Sequence, residues 1–327
     1  MRRREFIFLT TGTLGAWPLI LRAEQRPRRV GFLVGAAKDA EAEIRVDLFR
    51  NALAAAGWRD GQNVAIEVRY TQANPELAAR YAAELVSTKP DVIATHTTLS
   101  TRAVHQIAGS IPLVFTLVSD PVGEGFVQSL AQPGGDATGF INFEGSIGGK
   151  WLELLREVAP QTSRAAFIFN PATAPRGGRY FGDSFNAAAV SLGLEPQMMA
   201  VSSATEIEVS IAAFAGPGAG LVVSSDIFTA VERKPIIESA ARYRMPAVYN
   251  SKLFVTDGGL LSFGSSVRDE FTRCGTYVAR ILAGAKPPEL PVQVPVHYET
   301  VINMQTAKAL GLEVPATLLA RADEVIE

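Results

Sequence analysis

Short apolar runs that are rich in β-forming residues alternate with longer amphipathic stretches along most of the chain. This alternation is typical of a parallel α/β sheet, in which a helix follows each strand. In the first series, the pattern predicts strands over Arg29–Val34, Asn63–Tyr70, Asp91–Thr95 and Ile111–Val118, and helices over Asp39–Ala56, Pro75–Ser87 and Ser100–Ala108. In the second series, it predicts helices over Ile147–Val158, Phe181–Leu192, Thr205–Phe214 and Thr229–Tyr243, and strands over Ala165–Asn170, Glu195–Val201, Gly220–Ser224 and Ala247–Tyr249.

Two such series in one chain indicate two lobes. They meet near residues 138–146, and a further helix is predicted over Val267–Ala283. A chain of 327 residues is long enough for each lobe to have its own hydrophobic core. We therefore predict an α/β fold made of two doubly wound parallel-sheet lobes.

Polar residues stand where five of the predicted strands end. The carboxyl ends of parallel strands face the ligand crevice of an open sheet, so these residues are candidates for ligand binding. They are Thr97, Thr98, Ser119, Asp120, Asn170, Asp226 and Asn250. Backbone N–H groups at helix starts attract anions, so Thr97, Thr98 and Ser119 could hold a carboxylate. Asp120 or Asp226 could accept hydrogen bonds from an ammonium group.

Each of these positions also has a purely structural interpretation. Ser, Thr, Asn and Asp between a strand and a helix are often helix caps or turn residues, and Asp120 stands directly before Pro121, which favours the first helical position. The aromatic residues that could flank an apolar part of a ligand are Phe143, Phe228, Tyr249 and Phe263. Such rings belong more often to a core. His96 is interpreted as a hydrogen-bonded structural histidine.

Composition and motif content narrow the function. The formal net charge is −2, and 47% of the residues are hydrophobic, which is typical of an ordered globular protein without an electrostatic footprint for nucleic acid. The dinucleotide and P-loop fingerprints are absent, and the segment Gly259–Gly264 has one residue too many for a nucleophile elbow. Three histidines without H-E-x-x-H spacing and one cysteine do not build a zinc site. We expect no catalytic residue, metal or cofactor, and thus no enzyme.

The N-terminus has the pattern of an export signal. Arginines at positions 2–4 precede an apolar stretch over Phe6–Leu21, and Ala23 offers a small residue before polar ones. This order of regions is that of a secretory leader, and Arg3-Arg4-Glu5-Phe6-Ile7 is similar to a twin-arginine signal. We predict an export signal over residues 1–23, cleaved near Ala23, and a periplasmic product. The alternative is an uncleaved anchor, for which the apolar stretch is short.

The stretch over residues 111–142 contains Ser119-Asp120-Pro121 and ends in Gly139-Phe140-Ile141-Asn142. It resembles the periplasmic substrate-binding components of ABC importers, the group that includes tryptophan- and tyrosine-type binding proteins. The resemblance continues in the family's order through Gly149–Leu155, Phe169–Pro171, Asp257–Gly264, Tyr277–Pro287 and Ala307–Leu312. We add Asn142 to the candidate ligand-binding residues. We also add Phe263, where the family usually carries Tyr.

The resemblance implies a type I periplasmic binding protein, whose two lobes are joined by a hinge of several strands. On this basis, the first lobe is predicted over residues 24–138 plus 265–290, and the second over residues 139–264 plus 291–327. The expected function is that of an extracytoplasmic solute-binding protein of an ABC transporter. The ligand class would be an amino acid or an aromatic or branched carboxylate.

The expected partners are a small-molecule ligand and an ABC permease in the inner membrane, without nucleic acid, and the protein is expected to be a monomer. Two other functions stay open at this point. A sensory receptor domain would have the same fold and pocket, and an exported α/β enzyme would share the fold class.

Overall fold

The computed structural model describes residues 26–327, so the predicted leader over residues 1–23 lies outside the described residues. The strands are β1 (Arg28–Val34), β2 (Val64–Tyr70), β3 (Val92–His96), β4 (Leu113–Val118), β5 (Ala137–Ile141), β6 (Arg164–Phe169), β7 (Glu195–Ala200), β8 (Ala219–Val223), β9 (Ala247–Tyr249), β10 (Leu261–Ser265), β11 (Tyr298–Asn303) and β12 (Glu324–Ile326).

Helices connect most of these strands. They are α1 (Ala40–Ala55), α2 (Pro75–Ser87), α3 (Thr98–His105), α4 (Ile147–Val158), α5 (Arg179–Leu192), α6 (Ala204–Phe214), α7 (Ile227–Val231), α8 (Arg233–Arg242), α9 (Lys252–Thr256), α10 (Val267–Leu282), α11 (Met304–Leu310) and α12 (Ala316–Leu319). Short 3₁₀ turns cover Pro175–Gly178 and Pro287–Glu289.

The strands form two sheets. The first has the order β2-β1-β3-β4-β5, and its neighbouring strands are all parallel. The second has the order β12-β11-β10-β9-β8-β6-β7, and it is parallel except where β10 runs antiparallel to β11, with Leu261 opposite Ile302. The predicted α/β class with two parallel-sheet lobes is confirmed, and the antiparallel pair is an addition to it.

Each sheet is covered by helices on both faces, which explains the near-continuous apolar sequence of its strands. In the first lobe, α1 and α10 pack on one face around Phe32, Phe49 and Phe271. On the other face, α2 and α3 contribute Leu85 and Val104 to a second cluster. In the second lobe, one face carries α4, α5, α11 and α12, and the other carries α6, α8 and α9.

Local sequence explains several helix boundaries. Asp39 caps α1, because its carboxylate accepts a hydrogen bond from the Ala42 N–H at 2.8 Å. Asn74 caps α2, whose first residue is Pro75, a residue suited to that position. The single helix predicted over Thr229–Tyr243 is wrong. The structure has α7 and α8 there, separated at Glu232, whose φ of −87° and ψ of 23° depart from helical values.

The chain passes between the two sheets three times, after β5, after β10 and before β11. At the last passage, Gln293 pairs with Phe140 of β5 in a parallel bridge. The predicted lobe boundaries at 138/139 and 264/265 fall inside β5 and β10, and the one at 290/291 falls just before this pairing. Across residues 26–327, none of the helices combines the length and the apolar character that crossing a membrane requires.

Candidate ligand-binding site

A cavity of about 400 Å³ lies between the lobes, at the ends of strands from both sheets. From the first lobe its wall includes residues that follow β1, β3, β4 and β5, together with one side of α1. From the second lobe it includes residues that follow β8 and β9, the turn after β6 and the start of α8. This is the position at which open α/β sheets bind ligands.

The start of α3 forms the part of the wall nearest to β3. Thr97 and Thr98 both line the cavity, and the Thr97 side chain does not cap the helix. The first N–H groups of a helix have no partner within it, so this end of α3 favours an anion. Ser119, which follows β4, is buried and lines the same cavity. These three residues are thus brought together as the sequence predicted.

Asp226 and Asn250 line the cavity from the second lobe. The Asp226 carboxylate accepts hydrogen bonds from the Thr229 N–H at 2.9 Å and from the Thr173 hydroxyl at 3.1 Å. Burial of this carboxylate raises its pKa to about 6, and these hydrogen bonds oppose the rise. Asn250 donates from Nδ2 to the carbonyl of Ser224 at 2.8 Å, which fixes its amide at the end of β9.

Asn142 joins the ends of strands from the two sheets. It follows β5, lines the cavity and donates from Nδ2 to Ser225 Oγ at 3.1 Å. Its Oδ1 is buried without a hydrogen-bond partner among the described residues. A buried amide oxygen in this state is costly unless another group donates to it.

Three candidate residues stand outside the cavity wall, so the expectation that they line the pocket is corrected. Asp120 accepts hydrogen bonds from the Gly123 N–H at 2.9 Å and from Nε of Arg176 in the other lobe. Asn170 accepts from the N–H groups of Ala172 and Thr173, so it is a turn residue that supports the Asp226 site. Phe263 is the third, and its ring stacks on Tyr298.

The Phe263 and Tyr298 ring centroids lie 5.2 Å apart with planes at 10°, and the Phe263 carbonyl accepts a hydrogen bond from the Trp151 indole at 2.8 Å. This arrangement joins β10 to β11 and α4. Of the other rings predicted as candidates, Phe143 lines the cavity, whereas Phe228 and Tyr249 belong to the core around α6 and α8.

His96 has the structural role that we expected. It lines the cavity, and its Nδ1 accepts a hydrogen bond from the Gly35 N–H at 3.2 Å. Burial lowers its pKa to about 3, so the ring is neutral and holds the turn after β1 against β3. Across residues 26–327, no group of three or more His, Cys, Asp or Glu side chains has the geometry to hold a metal ion.

Sequence reasoning missed two arginines in the wall, Arg45 of α1 and Arg233 of α8. It also missed Thr173, which supports Asp226. Both arginines lie on helices and follow no strand, so the pattern of polar residues at strand ends does not include them. The signal that could have identified them is a charged residue on the helix face that is turned toward the carboxyl ends of the strands.

The fold and the cavity between its lobes define the class of type I periplasmic binding proteins. Residues 30–326 match the family model described as ABC transporter substrate binding protein, and the chain belongs to that family. A tyrosine-binding protein of Clostridioides difficile is 28% identical over 266 residues, which cover 81% of this chain and 76% of that protein.

Solved structures share the whole architecture. A conserved domain protein from Vibrio cholerae O1 biovar El Tor superposes with a TM-score of 0.85 at 25% identity, and covers 92% of this chain and 100% of its own. An ABC domain from Streptococcus pneumoniae in complex with L-Trp superposes with a TM-score of 0.84 at 23% identity and with the same coverage.

Proposed function

We propose that this chain is the extracytoplasmic solute-binding protein of an ABC importer, and that it captures an amino acid in the cavity between its lobes. The observation that carries the proposal is the composition of the cavity wall. An anion-binding helix start comes from the first lobe, and the Asp226 carboxylate comes from the second. An α-amino acid carries the complement of both groups.

The chemistry of each end supports this assignment. The N–H groups at the start of α3, together with the hydroxyls of Thr98 and Ser119, would receive the α-carboxylate. Asp226, with Asn250 beside it in the wall, would receive the α-ammonium through a charge-assisted hydrogen bond. Because the two ends belong to different lobes, a ligand that bridges them favours closure of the lobes.

The relatives support the same ligand class. One is named as a tyrosine-binding protein, and one solved structure holds L-Trp. In this family, the closed binding protein with its ligand docks on a membrane permease. We propose that the monomer works outside the cytoplasm after removal of the leader over residues 1–23, and that it releases its ligand chemically unchanged.

Isothermal titration with a panel of amino acids tests the proposal. We expect at least one of them to bind, and we expect Asp226→Asn to cost about 2–4 kcal/mol of binding free energy, the range for loss of one partner of a buried charged pair. The amide can still accept the Thr229 N–H, so the fold should be retained. The matched control is Asp183→Asn, whose carboxylate is exposed on α5 and should not affect binding.

Two further experiments distinguish the proposal from the other two functions. An exported enzyme would convert its ligand, whereas a binding protein releases it unchanged. Mass spectrometry of the ligand after prolonged incubation should therefore show no product. A sensory receptor would bind equally well but would associate with a sensor instead of a permease, which co-purification from the membrane fraction distinguishes. Normal binding by Asp226→Asn would contradict the assignment of Asp226 to the ammonium.

A further inference from the structure

Two guanidinium groups face the cavity from opposite lobes. Arg45 extends from α1 of the first lobe, and Arg233 from the first residue of α8 in the second. The Arg45 side chain is only 12% exposed, which is unusual for an arginine. A buried cation in a ligand cavity needs an anionic partner. Within the chain, each of these arginines has one carboxylate partner, Glu41 for Arg45 and Asp257 for Arg233.

The hydrogen bonds of the two arginines leave several donors free. Arg45 donates from Nε to Glu41 at 3.2 Å, and its two terminal nitrogens make no hydrogen bond with any residue between 26 and 327. Arg233 donates from Nε to Asp257 at 2.8 Å and from Nη1 to the Ala230 carbonyl at 3.3 Å. A guanidinium has five N–H donors, so both groups can bind a further acceptor.

Two carboxylates of the cavity wall, Asp39 and Glu41, act on Arg45 together with the charge of Arg233. Burial is the main cause that lowers the pKa of Arg45, and the charge of Arg233 lowers it further. Glu41 and Asp39 oppose this effect without cancelling it. The Glu41 side chain is 44% exposed and Asp39 is exposed at the start of α1, so solvent screens both carboxylates. An anion between the arginines would relieve their mutual repulsion.

We propose that Arg45 and Arg233 bind a second anionic group of the ligand, so that the solute is an acidic amino acid. This inference rests on the proposed function, in which Asp226 and the start of α3 bind the α-ammonium and the α-carboxylate. The distal carboxylate would lie between the two guanidinium groups, and each can bind it with two parallel N–H donors.

The rest of the wall is mostly aliphatic and has few aromatic rings. Its larger aliphatic side chains could contact the methylene groups of the ligand, and they are Leu99, Leu117, Ile227, Val231, Leu253 and Val267. Among the described residues that line the cavity, Phe143 and His96 are the aromatic ones, and Phe143 packs edge-on against Trp151 within the core. The wall therefore offers little ring surface for an indole or phenol. Arg45 and Arg233 also come from different lobes, so the distal carboxylate would add a second link across the closed cleft.

Titration calorimetry on protein produced from the full chain tests the inference. The ligands are L-aspartate, L-glutamate and L-2-aminoadipate, with L-asparagine and L-glutamine as neutral counterparts, and L-tryptophan and L-tyrosine as aromatic ones. We expect at least one acid to bind at least tenfold more tightly than its amide. Arg45→Gln should reduce this preference to less than threefold, while the affinity for the amide changes by less than threefold.

The matched control is Arg50→Gln, which removes an arginine from the same helix where it pairs with Asp47 and Asp60, outside the cavity wall. It should keep the full preference for the acid. Arg233→Gln is the second test variant, because its side chain is 32% exposed and its loss threatens the fold less. Because Arg233 belongs to the second lobe, this variant tests the other side of the cavity, and it should also reduce the preference for the acid over the amide.

The outcomes separate the inference from the function on which it rests. Binding of aromatic or neutral amino acids without preference for an acid would overturn the inference and leave the proposed function standing. An acid preference that survives in both Arg45→Gln and Arg233→Gln would also overturn it. Absence of binding by every amino acid in the panel would overturn the proposed function itself.

Discussion

At Asp226, one carboxylate serves the fold and the cavity together. Its oxygens accept hydrogen bonds from the Thr229 N–H, the Thr173 hydroxyl and, at 3.4 Å, the Asn170 N–H. These bonds stabilise the ionised form, yet burial outweighs them and raises the pKa to about 6. The protein thus holds a carboxylate that loses its charge under mildly acidic conditions, well above the usual range of aspartate.

This pKa predicts the pH dependence of ligand binding. An ammonium group binds the ionised carboxylate, whose population falls about tenfold for each pH unit below about 6. We therefore expect the Kd to be constant above pH 7 and to rise by about tenfold per unit below about pH 6. Calorimetry at several pH values measures this. In Asp226→Asn the acid limb should vanish, and an unchanged limb would assign the titration to another group.

Phe263 leads to the opposite prediction, because its ring stacks on Tyr298 away from the cavity wall. Phe263→Tyr should leave the ranking of ligands unchanged. It should alter the free energy of unfolding by no more than about 1 kcal/mol, the range for an exposed or half-buried substitution that removes no packing. A ligand panel measured alongside chemical denaturation checks both quantities. A changed ranking would return Phe263 to the site.

The residues at strand ends show which part of the candidate site could be predicted from the sequence. Thr97, Thr98, Ser119, Asp226 and Asn250 line the cavity as predicted, because a parallel sheet brings its carboxyl ends to one edge. Asp120 and Asn170 have the same residue types at the same kind of position, but their side chains turn to local and interlobe partners. The direction in which each side chain points depends on its rotamer and on neighbours that are distant in sequence. Neither can be read from a single sequence.

The helix that we propose to bind the carboxylate of the ligand, α3, is preceded by a strained residue. Thr97, between β3 and α3, has φ 79° and ψ 155°, a region that is populated almost only by glycine. A β-branched residue in this conformation costs of order 1–3 kcal/mol. The strain persists because β3, α3 and the neighbouring β4 fix the chain on both sides, with the Thr97 N–H donating to the Thr116 carbonyl at 3.0 Å.

Relief of this strain should stabilise the protein. Thr97→Gly is expected to raise the free energy of unfolding by about 1 kcal/mol, since the strain that it removes exceeds the added backbone entropy of glycine. Thr98→Gly is the control, because Thr98 is the first residue of α3 with ordinary helical geometry. It should lower stability by about 0.5–1 kcal/mol. Chemical denaturation measures the free energy of unfolding of both variants. An equal loss of stability in Thr97→Gly and Thr98→Gly would contradict the interpretation that Thr97 is strained.

At the level of elements, the sequence predicted most strands and helices because apolar periodicity is a local property. The predicted helix over Thr229–Tyr243 failed because apolar periodicity does not register Pro235. Its ring clashes with the carbonyl four residues before it and it has no N–H to donate, so the helix is interrupted at Glu232. The antiparallel pairing of β10 with β11 could not be predicted either. The two strands are separated by α10, which belongs to the other lobe, and no local pattern encodes which strands will be neighbours.

At the level of the whole molecule, polar contacts link the lobes beside the cavity. Asp120 of the first lobe is buried and binds Nε of Arg176, which belongs to the turn after β6 in the second lobe. Arg176 and Gly177 in that turn both have positive φ, and the guanidinium lies over the Tyr180 ring at 5.7 Å. With the hydrogen bond between Asn142 and Ser225, this ion pair links the two lobes directly.

Loss of the ion pair should favour the open form. The Arg176 side chain is 57% exposed, so the contact is worth no more than about 1 kcal/mol. We expect Arg176→Ala to weaken ligand binding by about threefold to fivefold and to increase the radius of gyration of the ligand-free protein. Calorimetry and small-angle scattering measure the two effects. Arg179→Ala, which removes an exposed arginine of α5, should change neither, and identical behaviour of the two variants would contradict a link between the lobes.

The packing of α10 on α1 has a consequence for the order in which the chain acquires its structure. The core that contains Phe32 and Phe49 also needs Phe271 and Val278, which a ribosome adds more than two hundred residues later. The central strands β6 to β9 of the second lobe come from one continuous segment and can assemble as soon as it emerges. The second lobe in turn needs β11, α12 and β12 from the end of the chain. Each lobe is therefore completed only by a segment that is synthesised late, and a chain cut before Val267 should leave the core of the first lobe unfinished.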